Sequence, residues 1–204
     1  MNRSISNNKL LSLINVLLLS FFVILKAHAD NNKLGKNEIF IGSPGAVVKI
    51  KVFSSFTCPH CASFHNEVLP EIKKKYIKTG KVQLIFVDFP LDQAAFNASK
   101  LLHCLDKKKQ ITFMDKIYAT QKQWTKGSNI NDINNNLKKI VKDLGISADK
   151  FEQCLISETI SDKILNGRIK AHSKYSIDST PTIIINEKKL EGSANFKNIK
   201  TKIE

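Results

Sequence analysis

The chain has 204 residues and carries 32 Lys and Arg against 18 Asp and Glu, a formal net charge of +14. That length suits one domain with a full core, or a domain with an insertion. The surplus Lys is spread along the chain without aromatic interleaving, repeats or a nucleic-acid motif, which is typical of solvated helix surfaces. We therefore expect no nucleic-acid partner.

The first 29 residues have the pattern of a secretory signal peptide. Arg3 and Lys9 precede an apolar run over residues 10–25, and Ala27-His28-Ala29 supplies a small-x-small cleavage signal. We predict cleavage after residue 29 and a mature chain of residues 30–204. A retained anchor is the alternative, because the apolar run is slightly long for a signal core and slightly short for a comfortable membrane span. Export would place the cysteines in an oxidising compartment, where disulfides persist.

Two strands are predicted before the first helix. Residues 38–41 form a short edge strand, and a Gly-Ser-Pro-Gly turn follows. Residues 47–53 alternate with a period of two, with Val48, Ile50 and Val52 on one side and Lys49 and Lys51 on the other. Lysines are unusual in a strand that is covered on both faces. We expect their aliphatic side chains to extend to solvent near an uncovered end of the strand.

The next motif is Cys58-Pro59-His60-Cys61, which lies where the predicted strand ends and a helix begins. The helix N-terminus offers unpaired backbone N–H groups and the positive end of the macrodipole, both of which favour a thiolate. This predicts Cys58 as the nucleophile, with a protonated His60 as further support. Pro59 suits the first helical position, because its missing N–H costs nothing there. Cys61, one turn further on the core side, is predicted to be the resolving thiol.

Two other interpretations of this motif stay open. Cys58, His60, Cys61 and His65 could supply four zinc ligands, although structural zinc sites usually draw their ligands from separated pairs in loops. An inert structural disulfide is the second alternative. We favour dithiol chemistry and predict no metal at this site.

The remaining cysteines are Cys104 and Cys154. Four cysteines allow three pairings, and the close spacing of Cys58 and Cys61 favours the one that also joins Cys104 to Cys154. Two buried thiols without a bridge are the alternative for this second pair.

A strand-helix-strand unit surrounds the motif. Apolar residues recur at helical spacing from Cys61 to Tyr76, and Pro70 should bend the helix near residues 66–69 because it removes a backbone hydrogen bond. Thr79-Gly80 ends this helix. Residues 82–87 then form an apolar run of strand length, which predicts a parallel crossover.

The stretch from residue 92 to about 177 is predicted to be helical. Apolar positions recur at helical spacing in four segments, of which the last could be two helices: 94–105, 111–124, 133–144 and 151–175. Ser147 suits an N-cap. After Thr180-Pro181, residues 182–185 form a β-branched strand, a short turn leads to a second strand near 189–190, and a terminal helix contains Phe196, Ile199 and Ile203.

In this order of elements the chain resembles the DsbA-like thiol-disulfide oxidoreductases of the thioredoxin superfamily. The resemblance covers essentially the whole mature chain, and these segments carry it: IGSPGAVVKIKVFSSFTCPHC, Pro70, Gly80, Asp88-Phe89-Pro90, and Thr180-Pro181 before residues 182–185. It implies an α/β thioredoxin fold over residues 30–204, with a helical insertion at about 91–177 between the βαβ unit and the C-terminal ββα unit.

The resemblance also implies roles for single residues. Cys58 is expected to attack, Cys61 to resolve, and Pro59 and His60 to tune them. Pro181 matches the proline that the superfamily holds in the cis form beside the disulfide, where the adjacent backbone pairs with an extended substrate, and Thr180 precedes it. One position departs from the pattern: Val52 occupies the place where many relatives bury an acid that assists proton transfer from the resolving thiol.

The activity implied is donation of the Cys58–Cys61 disulfide to reduced or unfolded exported proteins in the periplasm. That disulfide is the only redox group expected, without another cofactor, and a DsbB-like membrane quinone oxidoreductase is the expected reoxidising partner of a monomer. The alternatives are a disulfide isomerase or reductase and a metal- or peptide-binding protein without turnover. Isomerases of the superfamily usually add a dimerisation domain, for which this mature chain has no room.

Overall fold

The computed structural model describes residues 38–204, so the predicted signal peptide and its cleavage site lie outside the described residues. One mixed sheet of five strands organises this part of the chain, in the order β1-β3-β2-β4-β5. The strands are β1 (Ile39–Ile41), β2 (Val48–Ser54), β3 (Val82–Asp88), β4 (Thr182–Ile185) and β5 (Lys188–Lys189). β2 and β3 are parallel, and every other neighbouring pair is antiparallel.

The alternation predicted for β2 is present. Val48, Ile50 and Val52 are buried on one face, where they join the core beneath the first helix. The two lysines of the opposite face are half-buried, and their ammonium groups find partners. Lys49 Nζ donates to Gln83 Oε1 at 2.8 Å, and Lys51 Nζ donates to the Tyr175 hydroxyl at 2.8 Å. A central strand therefore carries two ammonium groups, and each of them has a hydrogen-bond partner.

The helix after β2 is irregular. It passes from α1 (Pro59–Ser63) through a π-helical segment (Phe64–Val68) to α2 (Leu69–Ile72) and a second π-helical segment (Lys73–Ile77). The first irregular segment ends two residues before Pro70, which cannot donate to the carbonyl one turn earlier. A widened turn accommodates that missing bond. The sequence predicted the place of this irregularity, but it did not predict the second π-helical segment.

Six helices separate β3 from β4, and one follows β5. They are α3 (Gln93–Cys104), α4 (Lys107–Ala119), α5 (Gln121–Trp124), α6 (Ile130–Lys142), α7 (Ala148–Ile156), α8 (Glu158–Tyr175) and α9 (Phe196–Ile203). The fold class predicted from the sequence, a thioredoxin fold with a helical insertion, is confirmed. Within residues 38–204, no helix combines the length and the apolar character that crossing a bilayer requires.

Two predicted helices are divided. The segment predicted as 111–124 breaks at Thr120, whose hydroxyl donates to the Lys116 carbonyl at 2.7 Å and whose backbone leaves the helical region. The prediction of one helix there was wrong: the Thr120 amide still bonds to the Lys116 carbonyl at 3.0 Å, and a new short helix begins where the Gln123 and Trp124 amides bond to the Thr120 carbonyl. The segment 151–175 divides at Ser157, which ends α7 and caps α8 through a bond from the Ile160 amide.

The insertion is closed by a disulfide. Cys104 at the end of α3 is bonded to Cys154 in α7, with the two Cα atoms 6.0 Å apart and a separation of 50 positions in sequence. This is the expected second pairing. A cluster of buried side chains from α3 to α7 packs around it and continues to Phe56, Cys58 and Cys61, so the insertion and the motif share one core.

Candidate active site

Cys58 lies at the N-terminal end of α1. Its backbone is extended, and its carbonyl accepts the amides of Cys61 at 3.1 Å and Ala62 at 3.2 Å, so it is the N-cap residue. Pro59 occupies the first helical turn, as predicted, and both Pro59 and His60 are exposed. Cys61 is 1% exposed and faces the core. Both sulfurs are unbonded, so the structure shows the dithiol.

The two sulfurs have opposite acid strengths. The pKa of Cys58 is lowered from its usual value to about 5, chiefly by its hydrogen bond with the Cys61 thiol, against the effect of burial. The backbone amides of Cys61 and His60 lower this pKa further. The pKa of Cys61 is raised far above its usual range by the same hydrogen bond and by burial. The pair therefore holds a thiolate at Cys58 and a thiol at Cys61 at neutral pH.

The loop before β4 faces the nucleophile. The Thr180-Pro181 peptide bond is cis, and the Cys58 thiol donates to the Thr180 carbonyl at 3.2 Å. The Thr180 hydroxyl is buried and has no hydrogen-bond partner among residues 38–204 in the dithiol state. The structure thus brings the predicted residues Cys58, Thr180 and Pro181 together at one place.

A groove of about 370 Å³ opens beside this loop. His60, Thr180 and Pro181 line it together with Glu67, Ser193 and Asn195. Its walls combine apolar and polar groups, which suits a short extended peptide segment. His60 therefore contributes its backbone amide to the thiolate and is also one of the residues that line the groove.

His65, the fourth residue of the zinc interpretation, is engaged elsewhere. Its Nε2 lies 2.7 Å from Asp115 Oδ1, and its buried ring lies 4.7 Å from the Tyr118 ring, centroid to centroid. Burial lowers the pKa of this imidazole, and the Asp115 carboxylate opposes that effect. Across residues 38–204, no group of three or more His, Cys, Asp or Glu side chains is arranged to hold a metal ion.

Gln121, which was not predicted from the sequence, supports the motif from the insertion. Gln121 is buried, and its amide group donates to the Phe56 carbonyl at 2.8 Å and to the Cys58 carbonyl at 2.9 Å. One side chain thus fixes two carbonyls of the loop that presents the nucleophile. The sequence did contain a signal for this role. Gln121 is a polar residue one helical turn from both Tyr118 and Trp124, on a helix face that is otherwise buried.

Two further side chains fasten the same loop. Ser55 is buried, and its hydroxyl accepts the Leu91 amide at 3.3 Å. The Thr57 hydroxyl donates to Asp92 Oδ2 at 2.7 Å. Asp92 also caps α3 through a bond from the Ala95 amide at 2.7 Å, so the first helix of the insertion and the active-site loop share one carboxylate.

Comparisons with known proteins agree with this geometry. A profile of the family described as Thioredoxin matches residues 35–204. A Bacillus cereus relative with the name "Probable disulfide bond formation protein D" is 30% identical over 197 residues, which cover 88% of this chain and 89% of the relative. The crystal structure of Wolbachia pipientis alpha-DsbA1 superposes with a TM-score of 0.75 and 32% identity, covering 84% of this chain and 93% of that one.

Some relatives are considerably longer. A relative in Rickettsia bellii, named as a protein-disulfide oxidoreductase, is 24% identical over 159 residues. The match covers 76% of this chain but only 59% of that relative. The chain therefore spans little more than half the length of this rickettsial protein.

Proposed function

This chain belongs to the Thioredoxin family and, within it, to the DsbA-like thiol-disulfide oxidoreductases, and from this premise we propose that it donates the Cys58–Cys61 disulfide to reduced proteins exported to the periplasm. One observation carries the proposal: the pKa of Cys58 is lowered to about 5 while that of Cys61 is raised far above its usual range. Stabilising the Cys58 thiolate stabilises the reduced form, which makes the disulfide a strong oxidant.

The reaction proceeds by two exchanges. A substrate thiolate attacks Cys58 of the disulfide, the Cys58–Cys61 bond breaks, and Cys61 leaves as a thiolate that takes up a proton. A second thiolate of the same substrate then attacks the substrate sulfur that is bonded to Cys58, and Cys58 leaves as the stabilised thiolate. The substrate loses two electrons and gains a disulfide, and the Cys58–Cys61 pair gains two electrons.

The groove beside the cis loop is the proposed substrate site. An extended segment can pair with the backbone at Thr180. It would then lie beside Cys58, because the Cys58 sulfur is 3.2 Å from the Thr180 carbonyl oxygen. Main-chain pairing recognises the extended form rather than a particular side chain, which suits reduced or unfolded proteins of varied sequence. We propose Thr180 and Pro181 as substrate-binding residues and Cys58, Pro59, His60 and Cys61 as the redox centre.

Partners and location follow from the same family membership. We propose export by the predicted signal peptide of residues 1–29, action in the periplasm as a monomer, and reoxidation by a DsbB-like membrane quinone oxidoreductase. The Cys58–Cys61 pair is the only redox group that this cycle needs.

A dithiol-peptide oxidation assay tests the proposal. The oxidised protein should convert a reduced two-cysteine peptide to its disulfide stoichiometrically, and Cys58→Ser should abolish this. Cys61→Ser is the matched control: it cannot form the Cys58–Cys61 disulfide and should also fail to oxidise the reduced peptide, but its Cys58 should form a mixed disulfide when the oxidised peptide is supplied. Isomerase or reductase activity is the second candidate, and faster insulin reduction than peptide oxidation would favour it. Oxidation that survives in Cys58→Ser would refute the mechanism.

A further inference from the structure

The groove beside the cis loop has one wall from the helix that follows β2 and one from the C-terminal part of the chain. The helical wall is formed by side chains at helical spacing, which are His60, Ser63, Phe64, Glu67 and Val68. Residues at such spacing share one face of a helix. The opposite wall consists of Thr180, Pro181 and residues 192–195. The groove therefore extends along this helix from the end at which Cys58 is the N-cap.

Part of the groove lining is apolar. Phe64 is buried, and Val68, Pro181 and Ala194 are half-buried. An aliphatic chain that lies against these residues would remove apolar surface from water on both sides of the contact. The groove can therefore bind the hydrocarbon part of a substrate side chain.

The polar groups of the C-terminal wall bond to one another. Asn195 Nδ2 donates to Ser193 Oγ at 2.7 Å, and Asn195 Oδ1 accepts the Asn198 amide at 2.8 Å. Asn198 Nδ2 donates to the Ser193 carbonyl at 2.9 Å. These bonds hold residues 193–195 against the start of α9. Among the described residues that line the groove on this side, none is charged.

The helical wall carries a carboxylate that lacks a partner. Glu67 is exposed, and within residues 38–204 its carboxylate forms no salt bridge or hydrogen bond. Its neighbour on the next turn, Glu71, is 3.6 Å from Lys75, and Asp115 is 2.7 Å from His65. The chain has 32 Lys and Arg against 18 Asp and Glu. Cations are thus abundant, and yet the one carboxylate in the described lining of the groove is not paired with any of them.

A lysine or arginine side chain matches both properties of the groove. Each has an apolar stem and a charged head, and the two parts can occupy different surroundings. The stem would lie against Phe64 and Val68, and the head would reach the carboxylate of Glu67. An acidic side chain would be repelled there, and a neutral one would gain the apolar contact alone.

The length of the groove sets which residue of a substrate meets this carboxylate. Glu67 is nine positions beyond Cys58 in sequence, which corresponds to about 13 Å along a helix axis. Helical side chains lean toward the N-terminus, so the carboxylate is somewhat nearer to Cys58 than that. An extended peptide advances about 3.3 Å per residue. The residue three or four positions from the reacting cysteine of a substrate can therefore reach Glu67.

We propose that Glu67 determines substrate specificity by favouring segments with a Lys or Arg three or four positions from the reacting cysteine. The inference rests on the proposed function, because it names a class of substrate for the same groove. Exposed pairs of opposite charge stabilise a complex weakly. The preference is accordingly a bias among substrates and not a strict requirement.

A competition for Cys58 measures this preference. The Cys61→Ser protein is mixed with an excess of two peptide disulfides, each a homodimer of a peptide with a single cysteine. The two peptides differ only in carrying Lys or Gln at one position, three or four residues before or after the cysteine. Cys58 attacks one peptide sulfur, the other copy leaves as a thiolate, and mass spectrometry of the acid-quenched mixture gives the ratio of the two adducts.

The same peptides mixed with reduced glutathione give the ratio that Lys produces through its own effect on disulfide reactivity. Relative to that reference, the protein should favour Lys by roughly two- to fivefold at one or more of the four positions. The preference should decline in 1 M salt, because the Debye length falls to about 3 Å. The net charge of +14 would by itself favour acidic peptides, so a preference for Lys cannot come from the overall charge.

Three further variants, each combined with Cys61→Ser, assign the effect. Glu67→Gln should lower the ratio to the glutathione reference, and Glu67→Lys should favour a peptide with Glu at the same position. Glu71→Gln is the matched control, because it removes an exposed carboxylate of the same helix that does not line the groove, and it should keep the preference. Both peptides compete for the same protein molecules, so a folding defect lowers the amount of adduct but not the ratio.

Two results would overturn the inference and leave the proposed oxidase function intact. One is a ratio equal to the glutathione reference at all four positions, and the other is a preference for Lys that persists in Glu67→Gln. If Cys58 forms no adduct with any peptide, the proposed function and this inference fail together.

Discussion

The Cys58 sulfur lies 3.2 Å from the Thr180 carbonyl oxygen, although 122 residues separate the two in sequence. A thiol can donate to that oxygen, but a thiolate cannot. Ionisation of Cys58 therefore leaves the carbonyl available to another donor, such as the backbone amide of an extended segment in the adjacent groove. The same carbonyl thus contacts the nucleophile in the dithiol and is positioned to pair with an extended segment.

The stability of the reduced protein should depend on pH through Cys58. The folded-state pKa is lowered from about 9 to about 5, so the unfolded chain binds more protons between these values. The stabilisation is complete above the pKa that Cys58 has in the unfolded chain. It is lost as the pH falls through the pKa that Cys58 has in the folded protein. We expect the melting temperature of the reduced form, relative to the oxidised form, to fall between pH 9 and pH 5.

Thermal unfolding of both redox forms across that pH range checks this prediction. Cys58→Ser is the control, because it has no thiolate to lose and should show a much weaker dependence. A constant difference between the two redox forms from pH 9 to pH 4 would contradict the assignment of the thiolate to Cys58.

Removing the Gln121 amide should weaken the active-site loop. In Gln121→Met two hydrogen bonds are lost; the Cys58 carbonyl keeps the amides of Cys61 and Ala62, but the Phe56 carbonyl loses the Gln121 donor. Buried carbonyls without partners cost about 1–3 kcal/mol, and we expect a loss of unfolding free energy in that range together with slower peptide oxidation. Denaturant titration and the oxidation assay measure the two effects.

Gln123→Met is the matched control for this substitution. Gln123 lies on the same short helix but is exposed, so the same change should leave stability and rate nearly unaffected. Equal effects at both positions would show that the hydrogen bonds of Gln121 to the loop have no special role.

The second disulfide should contribute to stability without setting the chemistry of the motif. It closes a loop of 50 residues, for which the chain-entropy estimate is about 4 kcal/mol. We expect Cys104→Ala with Cys154→Ala to lower the unfolding free energy by up to that amount. The Cys58 thiolate titration, followed by ultraviolet absorbance, should keep its midpoint near pH 5. A midpoint displaced by more than one pH unit would link the two cysteine pairs.

An ion-pair cluster at the β4–β5 turn should make stability sensitive to acid. The pKa of Glu187 is lowered to about 2 by hydrogen bonds from Lys174, Lys51 and Tyr175, in that order. Because the pKa of Glu187 is lowered on folding, its ionised form stabilises the protein above the ordinary glutamate pKa. This stabilisation is lost as the pH falls through the pKa of Glu187 in the folded protein. We expect Glu187→Gln to reduce stability at pH 7 and to flatten its decline between pH 4.5 and pH 2.

Glu191→Gln serves as the comparison, since Glu191 is exposed and close in sequence. It should leave the acid profile as it is. If Glu187→Gln and the unsubstituted protein lose stability in parallel below pH 4.5, the cluster is not the source of the acid sensitivity.

Local patterns in the sequence predicted most of what positions the nucleophile. The period of two identified β2, the motif identified the N-terminal end of α1, and Pro70 marked the place of the first irregular segment. Each of these depends on residues a few positions apart. The segment 151–175 was left open as one helix or two, without a position for the break, whereas the predicted cap at Ser147 is present, since the Ser147 hydroxyl accepts the Lys150 amide.

Contacts between distant elements were not predictable in the same way. Gln121 bonds to carbonyls more than 60 residues away, and Asp88 meets His103 only because α3 packs against the end of β3. No periodicity encodes such pairs, since they depend on how the insertion lies against the sheet. The break at Thr120 was missed because the apolar positions keep their helical spacing across it.

The central claim is that a stabilised Cys58 thiolate makes this pair an oxidant, and an equilibrium redox titration in glutathione buffers tests it most directly. The fraction of the Cys58–Cys61 disulfide would be measured by thiol trapping at pH 7. We predict a midpoint close to that of DsbA, about −120 mV. A midpoint near that of thioredoxin, about −270 mV, would contradict the account and identify a reductant.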